Sequence, residues 1–186
     1  MNKFEHHLNL ILESTNHINN LQIDPDTLML FKKHDRVIFC TMGKSAFACR
    51  KIVYTARSFS LEWHDLDVCH AFHGDAGLIR DNDLLVLVSK SGNTKETVAV
   101  AKHFPDHKKI SISSNEKCEL NNHCQYSIFI PVPNEGGPFG YAPMASTSSY
   151  LIVLHAIMCS VIDYKDIELK TFAKNHPAGS IGDRLK

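Results

Sequence analysis

Residues 84–94 read LLVLVSKSGNT, and this stretch decides the fold. Its first five residues are all apolar, so the segment has no polar face. A strand apolar on both sides belongs in a parallel sheet covered by helices front and back. Residues 89–94 are mostly small, hydroxylated or turn-forming, and 94–103 take up helical spacing. Strand, tight loop and helix in that order form the repeating unit of an α/β domain. Residues 36–41 (RVIFCT) followed by 45–58 repeat the unit. Residues 109–113 and 126–132 read as two more strands, and 60–66 as a weaker one. The expected architecture is a helix-flanked, largely parallel sheet.

The longest apolar helical pattern, residues 144–162, is hydrophobic all round, which predicts a buried helix or a subunit interface. Residues 1–34 read as one or two helices, with Asp24-Pro25 as a break or helix start. No repeat, low-complexity tract or linker interrupts the chain, so residues 1–186 are expected to form one domain. Twenty Lys and Arg balance twenty Asp and Glu. Net charge therefore points to neither nucleic acid nor membrane, and an anionic ligand needs a local site. The six Cys form no C-x-x-C pair and several lie in apolar runs. No signal-peptide core opens the chain, and no apolar stretch reads as long enough to span a bilayer. A reduced, cytoplasmic setting is expected.

Three loops fall at carboxyl ends of strands or at helix starts, where open α/β sheets bind ligands. In residues 41–45, Gly43 permits close backbone approach, Lys44 brings charge and Ser45 a hydroxyl. A plain helix cap fits that loop equally well, and no P-loop glycine precedes it. Residues 89–94 hold the hydroxyls of Ser89, Ser91 and Thr94 around Gly92 and Asn93. One cap needs one hydroxyl, so three favour an anion cradle. In residues 143–149, Ser146 and Thr147 either face the same anion or cap a helix.

These segments, in this order, resemble the sugar isomerase (SIS) family, and within it the arabinose 5-phosphate isomerases. The resemblance adds the His-Gly-Asp-x-Gly run at residues 73–77, the EGGPFGYAP segment at 135–143 and the HPAGSIG ending at 176–182. It covers residues 28–186 and implies a three-layer α/β sandwich on a five-stranded parallel sheet. It also implies a homotetramer whose isomerases interconvert ribulose 5-phosphate and arabinose 5-phosphate, feeding synthesis of the acid sugar Kdo. Most members carry two CBS domains after the His-Pro motif, and this chain resembles the short members without them. Ala46, Asn93 and Ala178 depart from the family's Gly, Glu and Gly.

The resemblance assigns Glu135, matching a family carboxylate, as the base for enediol proton transfer. His73 and His176 become candidates for ring opening or proton shuttling. Lys44 neutralises phosphate or a developing oxyanion, or is a solvated helix-start residue. Asp75 either orients His73 or bonds its own turn. His176, in an active-site tail at residues 172–186, is expected to be anchored by a neighbouring subunit, giving sites shared across an interface. Twelve His invite a metal reading, yet no strict ligand spacing occurs, so neither metal nor cofactor is expected. The alternatives are an isomerase of another sugar phosphate and a non-catalytic module sensing a phosphosugar or sugar nucleotide. No basic face or helix-turn-helix pattern supports DNA binding.

Overall fold

The computed structural model describes residues 2–185; Met1 and Lys186, the outermost residues of the expected span and tail, lie outside the described residues. The chain opens with α1 (Lys3–Asn16) and α2 (Pro25–Lys33), each started by a side-chain cap. Asn2 and Glu5 form a reciprocal capping box, and Asp24 accepts from the Thr27 amide ahead of Pro25. Next come β1 (Arg36–Thr41), α3 (Gly43–Arg57), β2 (Glu62–Asp67), the short α4 (Val68–Ala71) and a 3-10 turn at Asp75–Leu78. The sheet is completed by β3 (Leu84–Val88), α5 (Lys95–His103), β4 (Lys108–Ser113), a 3-10 turn at Glu119–His123 and β5 (Tyr126–Phe129). Three helices follow: α6 (Ala145–Tyr164), α7 (Leu169–Lys174) and α8 (Gly179–Arg184).

All five strands run parallel in the order β2-β1-β3-β4-β5. Successive side chains alternate between faces. Val37, Phe39, Val86 and Ile110 enter a core closed by α2, α3 and α6. Ile38, Cys40, Leu85 and Leu87 enter a second core under α4 and α5. With both faces covered, the expected α/β sandwich is what forms. From β1 the chain moves outward to β2, then returns to β3 on the other flank. The connections diverge between β1 and β3, and a crevice opens at the carboxyl ends of those strands.

The differences from the sequence expectation have local causes. β5 stops at Phe129 because Pro131 and Pro133 have no amide to give the ladder, although Ile130 still donates to Ser113 and stays buried. β2 starts late because Ser60, at φ +58°, ends the turn that closes α3. α4, α7, α8 and the two 3-10 turns are too short to show periodicity in the sequence. The length estimate for apolar stretches also needs correction: α6, with 20 residues, is long and apolar enough to cross a membrane by length and composition alone. Half of its most apolar window is buried inside the fold. Tyr150, Leu154, Ile157 and Val161 supply the core beneath it, which accounts for its composition.

A polar hub closes the amino end of the sheet. Arg36 donates to Asp83 at 2.9 Å and to the Leu78 carbonyl at 3.1 Å, and its Nη1 lies 2.9 Å from His64 Nε2. A guanidinium has only donors, so that imidazole nitrogen must accept and His64 is neutral there. Burial first, then the Arg36 charge, holds the His64 pKa below its ordinary value. The unfolded chain therefore binds the proton more readily. This contribution to stability is complete above pH ~6.5 and is lost as pH falls below that value toward the lower folded pKa. Urea unfolding between pH 7.5 and 5.5 is expected to show a drop that His64→Gln reduces. An unchanged slope in that variant would remove His64 from the account.

Candidate active site

The crevice between β1 and β3 is tied at its base, where the Thr41 hydroxyl donates to the Val88 carbonyl at 3.0 Å. Gly43, at φ +63°, turns the chain from β1 straight into α3. No side chain caps that helix, so its first amides stay open to a ligand. Lys44 is exposed and Ser45 half-buried at this start.

Across the crevice, the β3–α5 loop gathers its hydroxyls. Ser89 Oγ lies 2.7 Å from Thr94 Oγ1 and 3.5 Å from Ser91 Oγ, and it accepts from the Gly92 amide at 3.1 Å. Ser91 Oγ accepts from the Asn93 amide at 3.1 Å. Thr94 stands at the N-cap of α5 without making a side-chain cap bond. Ser91 and Thr94 thus both meet Ser89, and none of the three hydroxyls caps an amide of α5. Gly92 has φ +66°, and a Cβ there would lie 2.2 Å from Cys118 Sγ. Asn93 Oδ1 accepts from the Glu119 amide at 2.9 Å and the Gly92 carbonyl from the Leu120 amide at 3.0 Å, latching the loop to the second 3-10 turn. The departure from Glu at position 93 therefore has a structural use.

The loop after β5 brings in Glu135, whose side chain is 1% exposed. Its Oε2 accepts from the amides of Met144 (3.0 Å) and Ser146 (2.9 Å) at the start of α6. Its Oε1 lies 2.6 Å from Lys90 Nζ, outside hydrogen-bond alignment, and is otherwise an unpartnered buried oxygen. Burial alone would raise the carboxyl pKa. The Lys90 ammonium, then the Ser146 and Met144 bonds, outweigh it and hold the pKa below the ordinary value. Lys90 is a site residue that the sequence motifs do not mark. A lysine set between two serines of an anion loop was the signal available. Ser146 is buried beside this carboxylate, whereas the Thr147 hydroxyl donates to the Pro143 and Met144 carbonyls at 3.2 and 3.0 Å. Thr147 must turn to donate to any anion.

Other expected residues stand apart. His73 and Asp75 are exposed on the connection after β2, on either side of Gly74 at φ +115°. His176 stacks on Phe172 at 4.0 Å and its Nδ1 lies 2.9 Å from the Phe172 carbonyl. Together they border a shallow cleft with Phe47, Lys51 and Tyr54 on the outer side of α3. The tail makes bonds of its own to the turn after α3. Asn175 Nδ2 donates to the Ser58 carbonyl at 3.0 Å and Ser60 Oγ at 2.9 Å, and Phe172 packs on Phe59. One chain thus joins the β3–α5 loop to Glu135 through Lys90, and leaves His176 against α3. A cleft of about 710 Å³ lies at the opposite, amino end of the strands, lined by Arg36, Asp83, His107 and Lys108. No group of three or more His, Cys, Asp or Glu among the described residues is arranged to hold a metal.

Fold and loops together define an α/β domain with a hydroxyl-rich loop at its switch point and a buried carboxylate beside it. The SIS domain family model matches residues 29–160, and the chain belongs to that family. It is 33% identical over 153 residues, 81% of this chain and 45% of the relative, to the probable arabinose 5-phosphate isomerase of Haemophilus influenzae. Identity to the arabinose 5-phosphate isomerase KdsD of Francisella tularensis is also 33%, over 81% of this chain and 46% of that protein. The chain spans about half the length of these curated relatives. Among solved structures, E. coli CFT073 c3406 in complex with arabinose 5-phosphate superposes with a TM-score of 0.87 at 24% identity, covering 95% of this chain and 100% of that one. The Vibrio vulnificus NanR protein complexed with ManNAc-6P gives 0.76 at 21% identity, over 96% and 70% of the two chains.

Proposed function

We propose that this chain is a phosphosugar aldose–ketose isomerase that interconverts ribulose 5-phosphate and arabinose 5-phosphate, in the service of Kdo synthesis. The observation carrying the proposal is Glu135, a buried carboxylate whose Oε1 meets only Lys90 of the hydroxyl-rich β3–α5 loop among the described residues. The relatives named above support the choice of substrate. Ser89, Ser91 and Thr94 hold the phosphoryl group, with Ser45, Ser146 and Thr147 at neighbouring helix starts. Gly43 and Gly92 let backbone approach it, and Asn93 holds the loop in shape. Glu135 takes the proton from C1 of the ketose as the electron pair moves into the C1–C2 bond. The carbonyl oxygen becomes the enediol oxygen, stabilised by Lys44. A proton passes from O1 to O2. Glu135 exchanges its proton with water and delivers one to C2, and the O1 electron pair closes the C1 carbonyl of the aldose. The cyclic aldose form must first open, with a proton delivered to its ring oxygen and one taken from its anomeric hydroxyl. His73 and His176 are assigned to that step, Asp75 supporting His73. The chemistry needs no metal or cofactor, and the free thiols suit a reducing cytoplasm.

His176 lies against α3 in its own chain, so it is assigned to the site of another copy within a homotetramer. Mixing inactive Lys44→Ala and His176→Ala subunits is expected to restore part of the activity. Mixed assemblies that remain inactive would argue against sharing. The activity itself is tested by incubating the protein with ribulose 5-phosphate and following arabinose 5-phosphate by NMR. Product formation is expected. Binding detected by thermal shift without turnover would favour the sensing reading, and turnover of only a longer ketose phosphate would redirect the substrate.

A further inference from the structure

The contact between Lys90 and Glu135 joins the anion loop to the base, and the two partners are held very differently. Glu135 is fixed: its side chain is 1% exposed and Oε2 is tied to two backbone amides. The Lys90 side chain is 43% exposed. Its backbone is pinned, with its carbonyl accepting from the Ser114 amide at 2.9 Å and the Ser91 carbonyl from Asn115 Nδ2 at 3.2 Å. Only the flexible stem of Lys90 is free to move, and its neighbours in the loop are the hydroxyls of Ser89 and Ser91. An ammonium is a compact charge with three rotatable donors, able to change partner without moving its backbone.

We propose that Lys90 is a positioning residue shared between Glu135 and the substrate's phosphoryl group: an anion seated on the loop hydroxyls draws the ammonium off Oε1 and leaves that oxygen to take the substrate proton. The inference rests on the isomerase reading and deepens it. In the empty site the ion pair keeps the buried carboxylate charged but weakly basic. Bound phosphate removes that counter-charge, and a carboxylate left buried becomes a stronger base, closer to what proton abstraction near neutral pH requires. Binding of the remote, non-reacting end of the substrate thereby activates the group at the reacting end. Among the described residues, the titratable groups facing Glu135 are Lys90 from the β3–α5 loop and Tyr150 from α6. Burial, then Glu135 itself, keeps the Tyr150 phenol protonated despite its 2.9 Å contact with Ser114. From α1, apolar Ile11 lies against the adjacent Gly136.

The test uses the full chain with carbon-13-labelled glutamate carboxyls, the Glu135 resonance being the one lost in Glu135→Gln, and inorganic phosphate as probe. In the wild type, saturating phosphate is expected to raise the Glu135 midpoint by about 1–3 pH units, the range associated with a neighbouring opposite charge. In Lys90→Met the midpoint should already be raised and respond less than half as much, and Lys90→Arg should restore the response. Direct repulsion by phosphate would persist in Lys90→Met, so an undiminished response there overturns the proposal. A wild-type midpoint that stays put while phosphorus-31 spectra report binding abolished by Ser89→Ala overturns it too, and leaves the anion cradle standing. Failure of the wild type to bind phosphate would overturn cradle and proposal together.

Discussion

Glu135→Gln is expected to lower kcat for ribulose 5-phosphate by about 10²–10⁴-fold, the usual contribution of a positioned general base. The substitution keeps size and shape, and the carboxamide oxygen can still accept from the Met144 and Ser146 amides that fix the start of α6. The fold should therefore persist, and circular dichroism would show a native spectrum. What is lost is the charged oxygen beside Lys90, which no amide can replace as a proton acceptor. A variant retaining more than a tenth of the wild-type kcat would place the base elsewhere. His73 would then be the next residue to replace, since it lies on the connection after β2, the strand beside β1.

Gly92→Ala is expected to give the largest loss of stability from a single methyl group. The backbone there sits at φ +66°, and the new Cβ would lie 2.2 Å from Cys118 Sγ and 2.5 Å from its Cβ. Left-handed backbone costs a residue other than glycine about 1–3 kcal/mol, and forcing a carbon into packed surroundings about the same again. A combined loss of about 2–6 kcal/mol is a large part of the 5–15 kcal/mol typical of a domain. Urea unfolding measures it directly, and a loss under ~1 kcal/mol would mean that the loop relaxes freely. Because Gly92 separates Ser91 from Asn93, the same variant should weaken phosphate binding in whatever protein remains folded.

Much of this fold was legible because parallel strands leave a continuous apolar record. RVIFCT matches β1 residue for residue, and LLVLV marks β3, buried on both faces. β2 was the weakest expectation because EWHDLD mixes charged and apolar residues at the sheet edge, where only one neighbour covers it. α7 and α8 left no periodic trace, yet they decide where His176 lies.

The loops were legible in composition, less so in contact. Three hydroxyls near one glycine point to a cradle, and the contacts of Ser91 and Thr94 with Ser89 follow from proximity in the chain. The meeting of Lys90 with Glu135 could not, because it depends on how the loop after β5 returns across the sheet to α6. Position 93 showed only a missing carboxylate in the sequence, whereas its carboxamide holds the Glu119 amide in the fold. Side chains that bond backbone across loops have no one-dimensional signature.

Proton transfer by Glu135 between adjacent carbons of a phosphosugar is what the site is built to perform on this account. The most direct test is the position of deuterium after the wild-type protein has converted ribulose 5-phosphate in deuterated water. Arabinose 5-phosphate carrying deuterium at C2, with none formed by Glu135→Gln, is the predicted result. Arabinose 5-phosphate formed by the wild type with no deuterium at C2, or formed equally fast by Glu135→Gln, would contradict it.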